Sequence, residues 1–339
     1  MNKYYIDVKG GTGLNIGLCH VLNYLKDNYP DDYEFNVASQ YFDLFEACPA
    51  VKNVYKPNEM KDFIFDAKDN DGIIVEHRLY DMSDFIYKKL NYTQAWLKLM
   101  EIPTERWPNI DANAETTPTT VTSKFNVYDK YPVLKSQVEQ VLAEINKQGY
   151  KNFVITQFTG GQSPLVQVPA NPQNGQPDWS KVPYQYENEP LKRHYPTELV
   201  KEFANLFHQE HPDTAIITFQ LPNEPDYGKE TIRFVIPYLC YYMLAQEKNC
   251  LGTISIDSCL QHLVAGVTKS VVIWGHSLPE NFGYLFNNNI IQRCRRDDLL
   301  YFTALGPSGA KIDYIKPVDL LAIVNEYIFN NAPAETIRL

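Results

Sequence analysis

Short apolar runs alternate with segments of helical hydrophobic spacing along most of this chain, and this alternation constrains its fold more than any other feature. Residues 4–8 predict a first strand, and residues 14–26 then carry apolar side chains at helical spacing. The pattern recurs at residues 34–38 and at residues 72–76, where a buried strand is predicted. Strands that alternate with helices are typical of βαβ units, so the sequence predicts an α/β fold with parallel sheets.

A helix predicted at residues 84–100 ends this first series, and a second series follows the polar helix predicted at residues 134–147. Its predicted strands are residues 153–158, 214–219, 253–256 and 271–274, and its predicted helices are residues 197–208, 232–245 and 318–329. A chain of 339 residues is long enough for two domains of ordinary size. We expect domains at residues 1–149 and 150–339, divided near Gly149, with a last helix that could pack across both.

The formal net charge is −10, from 31 Lys and Arg against 41 Asp and Glu. A polyanion held mainly by charge is therefore not expected, and the sequence carries no strong nucleic-acid signature. Because no apolar run approaches about 18 residues, no transmembrane segment is predicted, and peripheral contact with a membrane stays open. The first residues lack the basic start and long apolar run of a signal peptide, which predicts a cytoplasmic protein.

Six cysteines are spread along the chain, and none of them forms a C-x-x-C pair. Such spacing is typical neither of a disulfide framework nor of a zinc site. The sequence therefore predicts reduced thiols in the core and indicates no zinc site.

A glycine-rich turn joins the first predicted strand to the first predicted helix. Its glycines at positions 11, 13 and 17 are one residue too widely spaced for the G-x-G-x-x-G fingerprint, which disfavours NAD. Glycines at such a turn let a ligand approach the backbone, and a helix N-terminus favours an anion. Two interpretations stay open: a tight turn with close strand–helix packing, or a ligand close to Gly11, Thr12 and Gly13.

A β-branched strand further along the chain ends at Asp257, which can cap the helix that follows. The amides of Ser258 and Cys259 would then face outward, ready for a phosphate. His262 lies about one turn further and can reach the same spot, although a histidine there is more often a packing residue.

Two other segments could contribute to the same site. Lys192 and Arg193 precede a predicted helix, where they suit a diphosphate or form an ordinary solvated charge run. Residues 159–190 are rich in Gly, Pro, Gln and Asn, carry no predicted element and directly follow a strand. A loop of that length predicts either a functional lid or a plain insertion.

Together these pieces resemble a known family. Residues 257–265 (Asp-Ser-Cys-Leu-Gln-His-Leu-Val-Ala), with Gly275 and Pro279, resemble the D-[ST]-G-x-x-H-L-A … G-x-x-x-P signature of the heptosyltransferase-like glycosyltransferases, glycosyltransferase family 9. Residues 192–199 are similar to that family's K-R-W-P segment ahead of its helix, and residues 92–97, 153–161 and 318–321 also look similar. The resemblance covers most of the chain and is sharpest from residue 153 to residue 279.

The resemblance implies a GT-B fold, in which two Rossmann-like doubly wound domains face each other across a cleft. The amino-terminal domain would take the acceptor, and the carboxyl-terminal domain would bind a nucleotide-sugar donor. Asp257 and Ser258 would lie by the diphosphate, His262 would lie on the sugar-phosphate side, and Lys192 would neutralise charge on the leaving group. The expected donor site is completed by Thr159, Gly160, Arg193 and Cys259. The family needs no metal, and no other cofactor is implied.

Two departures from the family pattern bear on the site. Cys259 stands where the family has the glycine of its D-[ST]-G motif, which would tighten the phosphate site. When Gly13 is aligned with the glycine of the family's amino-terminal loop, Leu14 stands where the family has an Asp as candidate base. The usual base is therefore missing from this sequence.

A substitute base is expected at the end of the strand at residues 72–76, because strand carboxyl ends border the ligand site in such folds. The candidates are Glu76 first, then His77 and Asp81. Ordinary loop polarity is the alternative interpretation of Glu76 and His77.

The leading hypothesis is a metal-independent glycosyltransferase that transfers a sugar to a glycan acceptor, lipopolysaccharide or another surface-glycan precursor. Inversion at the anomeric carbon follows only from the resemblance. One alternative keeps the donor and makes a modified DNA base or a protein the acceptor, and the charge of −10 disfavours DNA. The other alternative, suggested by Leu14, is a non-catalytic relative that binds a nucleotide sugar or a partner protein.

Overall fold

The computed structural model describes residues 1–86, 89–108, 117–160, 194–275, 277–294 and 312–339. The chain divides into two compact units. Unit 1 comprises Met1–Pro132 and Glu280–Tyr284, and unit 2 comprises Val133–Pro279 and Leu285–Leu339. Each unit is an α/β structure around a parallel sheet, as the sequence predicts.

In the described part of unit 1 the sheet has four parallel strands in the order β3-β2-β1-β4. These strands are β1 (Asn2–Asp7), β2 (Tyr33–Ala38), β3 (Val51–Tyr55) and β4 (Ile73–Glu76). The chain adds β2 and β3 on one side of β1 and then returns to add β4 on the other side. Where strand order reverses in this way, the carboxyl ends of the two strands leave a crevice in which open α/β sheets bind ligands. We call this point the switch point.

Along residues 1–131, the described helices of unit 1 are α1 (Thr12–Asn28), α2 (Phe42–Ala47), α3 (Met60–Asp69), α4 (Ser83–Ile86), α5 (Tyr92–Leu99) and α6 (Val127–Lys130). Short 3₁₀ turns lie at Pro57–Glu59, Leu79–Asp81 and Thr104–Arg106. In α1 the apolar stripe that the sequence predicts is fully buried at Leu18, Val21 and Leu22. A Cβ at Gly17 would lie 2.3 Å from Cε1 of Tyr92, so this glycine lets α5 pack closely against α1.

The prediction of a buried strand at residues 72–76 is wrong in part. Strand β4 is present, but Ile73 is 47% exposed and Ile74 is 49% exposed, whereas Val75 is buried. The reason is topological: β4 pairs only with β1 among the described residues, so it forms an edge of the sheet.

A single helix at residues 84–100 is also wrong, because the segment contains two separate helices, α4 and α5. Asn91 begins the second helix with a capping box, in which its side chain accepts a hydrogen bond from the Gln94 amide at 2.9 Å. The Gln94 side chain in turn accepts from the Asn91 amide at 3.0 Å. Such reciprocal bonds define a helix start, so helical spacing continues through the break while the backbone does not.

The residues of unit 2 that the structure describes form a seven-stranded parallel sheet in the order β13-β10-β9-β8-β5-β6-β7. Its strands are β5 (Asn152–Gln157), β6 (Thr214–Thr218), β7 (Ile232–Arg233), β8 (Cys250–Ile256), β9 (Ser270–Trp274), β10 (Asn288–Ile291) and β13 (Thr336–Arg338). A separate antiparallel pair is formed by β11 (Arg293–Cys294) and β12 (Ile312–Asp313). Because β6 and β7 lie on one side of β5 and β8 lies on the other, the switch point of this sheet falls between β5 and β8.

The remaining helices are α7 (Pro132–Lys147), α8 (Thr197–Glu210), α9 (Tyr238–Ala245), α10 (Cys259–Leu263), α11 (Pro279–Phe282) and α12 (Pro317–Val324), which continues as a π-helical turn at Asn325–Phe329. Helices α8 and α12 cover the sheet, and Phe203, Phe207 and Leu320 are fully buried in one core cluster with the strands. The helix predicted at residues 232–245 is wrong in its first half, where β7 precedes a helix that begins after Pro237.

The units divide between Pro132 and Val133, whereas the sequence suggests Gly149. Helix α7 therefore belongs mostly to unit 2, where Gln137 Oε1 lies 3.5 Å from the Sγ atom of Cys240. The last helix packs in the core of unit 2. Within the residues that the structure describes, no helix is long and apolar enough to cross a membrane.

Candidate functional site

At the switch point of unit 2, the backbone that follows β5 passes directly against the start of α10. A Cβ at Gly160 would lie 2.5 Å from Ser258 Oγ and 3.0 Å from Ser258 Cβ, so a side chain here would force Ser258 to move. Gln157, the last residue of β5, accepts a hydrogen bond from the Leu260 amide at 2.8 Å. The structure thus brings Gly160 and Ser258 together, although they are far apart in the sequence.

Asp257 is buried between several polar groups rather than at a helix cap. Its expected capping role is wrong, because Ser258 occupies the N-cap position of α10. The Asp257 carboxylate instead accepts hydrogen bonds from Gln261 Nε2, at 2.7 Å, and from the Ser277 hydroxyl. His262 Nε2 lies 4.0 Å from Asp257 Oδ1, so the structure brings this predicted pair together. Asp257 therefore orients its neighbours, and its two oxygens are largely committed to them.

Three fully buried oxygens around this switch point have no hydrogen-bond partner of normal geometry among the described residues. They are Thr159 Oγ1, Ser255 Oγ and Gln261 Oε1. Ser255 lies opposite Gln157 in the β5–β8 ladder, and Thr159 follows β5 by two residues. Buried polar atoms in native proteins are almost always hydrogen-bonded, so unpaired ones at a ligand-binding edge indicate atoms that a ligand or water would satisfy.

Glu224 adds a carboxyl group beside Thr159, in the loop that follows β6. Its Oε2 accepts a hydrogen bond from the Leu221 amide at 3.0 Å. Burial raises the pKa of Glu224 to about 7, and the Thr159 hydroxyl, the Leu221 amide and the Arg233 charge only partly oppose this shift. The Arg233 guanidinium fixes the same loop through the Glu224 and Pro225 carbonyls, at 3.1 and 2.7 Å. Near neutral pH this carboxyl can therefore donate or accept a hydrogen bond.

Cys259 is partly buried at the start of α10. Removal from water raises the pKa of its thiol to about 12, so the group stays protonated at physiological pH. It therefore adds bulk, and no charge, where the resemblance expects a glycine.

Several predicted features lie outside the described residues. These are Lys192 and Arg193, together with all of the long loop at residues 159–190 except Thr159 and Gly160. Among the residues that are described, no group of three or more His, Cys, Asp or Glu side chains could hold a metal ion.

The glycine-rich turn of unit 1 lies at the other switch point, between the ends of β1 and β4. Gly10 needs its glycine because its φ is +112°, and Gly17 needs one for helix packing. Gly11 has neither reason: it is extended, and a Cβ there would meet no atom within 4 Å. It begins α1, whose amino end is capped by no described side chain and whose first turn holds no acidic residue. Backbone conformation thus explains Gly10 and packing explains Gly17, and the ligand interpretation remains for Gly11 with the adjoining Thr12 and Gly13.

His77 extends the β1–β4 pairing by one residue, because its amide donates to the Asp7 carbonyl at 3.0 Å. Its ring lies near Tyr80 and Trp96, with centroid distances of 5.8 and 5.4 Å. Nε2 is buried and has no hydrogen-bond partner among the described residues. Burial lowers the pKa of His77, while the charges of Asp81 and Asp7 act in the opposite direction. The imidazole is therefore neutral at pH 7 and able to accept a proton.

Glu76 is placed less favourably for proton transfer. Its exposed carboxylate accepts hydrogen bonds from Arg78 Nη2 at 2.7 Å and Nε at 3.2 Å, and this pairing lowers its pKa. A carboxylate with a lowered pKa and a fixed cation is a weaker base than a neutral imidazole. Asp81, on the 3₁₀ turn that follows, influences His77 by its charge. Of the three candidates, the neutral imidazole of His77 is chemically the best suited to accept a proton.

Sequence reasoning missed three residues of this arrangement. Ser277 lies inside the segment that resembles the family signature, so its proximity to Asp257 could have been suspected from that segment. Gln157 is a polar residue at a strand end, which is a weak signal. Glu224 carries no signal at all, because only folding brings its loop beside Thr159 and removes its carboxyl from water.

Comparison with known proteins bears on the fold. No protein-family model matches the sequence, and no curated protein matches it. The structure of E. coli ADP-heptose LPS heptosyltransferase II is similar over 97% of this chain and 99% of that chain, with a TM-score of 0.53 and 11% identity. A glycosyltransferase family 9 structure from Veillonella parvula is similar over 83% of each chain, with a TM-score of 0.50 and 10% identity. The chain therefore has the fold of these GT-B glycosyltransferases, which confirms the fold expected from the sequence resemblance.

Proposed function

We propose that this protein is a glycosyltransferase that moves a sugar from a nucleotide-sugar donor to a glycan acceptor. The observation that carries the proposal is the switch point of unit 2, where Gly160 closely approaches Ser258 and the buried Thr159 hydroxyl lies beside the Glu224 carboxyl. A ligand rich in hydroxyl and phosphate groups would satisfy such atoms. Both similar structures are of glycosyltransferases, and the E. coli structure is of an ADP-heptose LPS heptosyltransferase.

In this proposal unit 2 binds the donor. The backbone at Gly160 and Ser258 receives the diphosphate, and Lys192 and Arg193 neutralise the charge that builds up on the leaving nucleoside diphosphate. Glu224 is suited to accept a hydrogen bond from a donor hydroxyl, which would favour its ionised form. These groups supply the stabilisation without a metal ion, as in the family that the sequence resembles.

Unit 1 binds the acceptor in this proposal, with His77 as the base. His77 takes the proton of the attacking hydroxyl, and the hydroxyl oxygen forms a bond to the anomeric carbon. The bond from that carbon to the donor phosphate oxygen breaks, and its electron pair leaves with the nucleoside diphosphate. Attack opposite the leaving group inverts the anomeric configuration.

The first test is a thermal-shift panel of nucleoside diphosphates and their sugars, led by ADP-sugars and run with and without a chelator. A ligand present at about 100 times its Kd stabilises the folded protein by about 2.7 kcal/mol, which is readily measured. We expect one nucleotide series to stabilise the protein equally in both conditions. The best sugar of that series is then incubated with lipopolysaccharide and other surface-glycan precursors, and product formation is followed.

The outcomes of this test are distinct. If none of the nucleotides or nucleotide sugars stabilises the protein, the proposed function is contradicted. Stabilisation only without the chelator would contradict the metal-independent mechanism. Donor binding without turnover, even as slow donor hydrolysis, would support the non-catalytic alternative instead.

A further inference from the structure

The charges at the switch point of unit 1 bear on the acceptor, and the inference drawn from them rests on the proposed function. Two cations lie in the segments directly after β1 and β4, and each is matched by a carboxylate. Lys9 Nζ lies 3.1 Å from Asp7 Oδ2, and Arg78 Nη2 lies 2.7 Å from Glu76 Oε2. Each carboxylate offsets the charge of its cation, so these two pairs add no net positive charge to the switch point.

The remaining charge in these segments is negative. Asp81 adds a third carboxylate, and its effect on the pKa of His77 places its charge close to the imidazole. His77 itself contributes no positive charge at neutral pH, because burial lowers its pKa. A phosphate or carboxylate brought to His77 would meet three carboxylates and two paired cations, so an anionic acceptor would be repelled.

An aromatic surface lies beside the same imidazole. Tyr80 is 47% exposed, and its ring stands edge-on to His77, with an interplanar angle of 85°. The 3₁₀ turn that carries Tyr80 is anchored by Leu79, which is fully buried. A tyrosine held in this way offers a rigid contact with both apolar and hydrogen-bonding character, which suits the C–H face and hydroxyls of a sugar.

We infer that the acceptor is an uncharged glycan whose terminal sugar packs on Tyr80 and presents a hydroxyl to His77. The carboxylates of Asp7, Glu76 and Asp81 outnumber the two paired cations and disfavour anionic acceptors. The exposed Tyr80 ring supplies an uncharged contact instead. The acceptor preference of this chain is then set by packing on the Tyr80 ring and by hydrogen bonding, without an ion pair to the acceptor.

The test uses the full chain, its preferred donor and pairs of glycans that differ only by a phosphate or a uronic carboxylate. We expect kcat/KM for the neutral member to exceed that for the acidic member by about tenfold, since like charges within a few ångströms repel. The kcat/KM for the neutral member should not change between low and high salt, because salt screens interactions between charges and a neutral acceptor carries none. Equal or better use of the acidic member overturns the inference, and so does a kcat/KM that falls steeply with added salt.

A substitution series makes the test specific to Tyr80. Tyr80→Ala should raise KM for the neutral acceptor by about tenfold with little change in kcat, and Tyr80→Phe should recover most of that loss. Tyr128→Ala is the matched control, because Tyr128 is also an exposed tyrosine of unit 1, at 41% exposure. An unchanged KM in Tyr80→Ala, with donor binding intact by calorimetry, contradicts the acceptor inference alone. If the wild-type protein binds no nucleotide-sugar donor, that result would instead contradict the proposed function.

Discussion

At the scale of single residues, Glu224 shows most clearly how folding changes chemistry. Its pKa of about 7 lies above the ordinary value of 4.5, because burial disfavours the charged form. Between these two pH values the folded chain keeps a proton that the unfolded chain has lost. The free energy of unfolding must therefore fall as the pH rises through this window.

Glu224→Gln should remove this dependence while keeping an oxygen that can accept from the Leu221 amide. The stability of the variant relative to wild type should increase by about 3 kcal/mol between pH 4.5 and pH 8, as expected for a shift of this size. Urea unfolding of both proteins at the two pH values measures the difference. Glu198→Gln serves as control, because that side chain is 82% exposed. A constant difference between Glu224→Gln and wild type would show that Glu224 has an ordinary pKa.

Gly160→Ala tests the close approach between β5 and the start of α10. The added Cβ would lie 2.5 Å from Ser258 Oγ, so Ser258 must move and donor affinity should fall by about tenfold. The double variant Gly160→Ala with Ser258→Gly removes the conflicting atoms and should recover folded stability. Calorimetry and thermal unfolding of the three variants measure both effects. Full donor affinity in Gly160→Ala would mean that this turn is not part of the donor site.

The choice of base is tested by His77→Ala, Glu76→Gln and Asp81→Asn. We expect His77→Ala to lose about 10²- to 10⁴-fold in kcat, and the other two variants to lose much less. The pKa of His77 lies below 6.5, and only the neutral imidazole accepts a proton. In wild type, kcat/KM should therefore be level near pH 7 and fall at acidic pH. The acid limb should be absent in His77→Ala, and its persistence there would assign the base to another group.

At the scale of elements, β4 shows why periodicity alone overestimates burial. The run Gly-Ile-Ile-Val-Glu suggests a strand covered on both faces, but periodicity carries no information about position within a sheet. Only the strand order reveals that β4 is an edge and that Ile73 is half exposed. Similarly, helical spacing alone does not locate the break before α5, because the apolar period continues through it. The signal for the break is the capping pair Asn91 and Gln94, three residues apart.

This account of β4 predicts unequal effects for neighbouring substitutions. Val75→Ala should destabilise unit 1 by about 1–2.5 kcal/mol, since a buried side chain loses its contacts. Ile73→Ala should cost less than about 1 kcal/mol despite the larger truncation, because half of that side chain is already in water. Denaturant unfolding of both variants makes the comparison. The reverse order would mean that β4 is covered by another part of the protein.

At the scale of the whole molecule, the alternation of strands and helices was sufficient to predict two α/β units, because it reflects local periodicity. The resemblance added the GT-B fold. The candidate site could be predicted only where one segment carries it, as in the pair Asp257 and His262. The approach of Gly160 to Ser258 and the burial of Glu224 arise from strand order, which no local pattern in this sequence encodes.

The most direct test of the central claim compares two buried threonines of unit 2, one inside β5 and one just after it. Within the described part of the chain, the Thr159 hydroxyl has no hydrogen-bond partner of normal geometry, whereas the Thr156 hydroxyl donates to the Ile217 carbonyl at 3.3 Å. Thr159→Val should therefore lower stability without donor less than Thr156→Val does, when both are measured below pH 7, where Glu224 keeps its proton. It should weaken donor binding, measured by calorimetry, by about 10- to 100-fold. Thr156→Val should lower stability and leave the donor Kd unchanged. Equal donor affinity in Thr159→Val and wild type would contradict a donor site at the β5–β8 switch point.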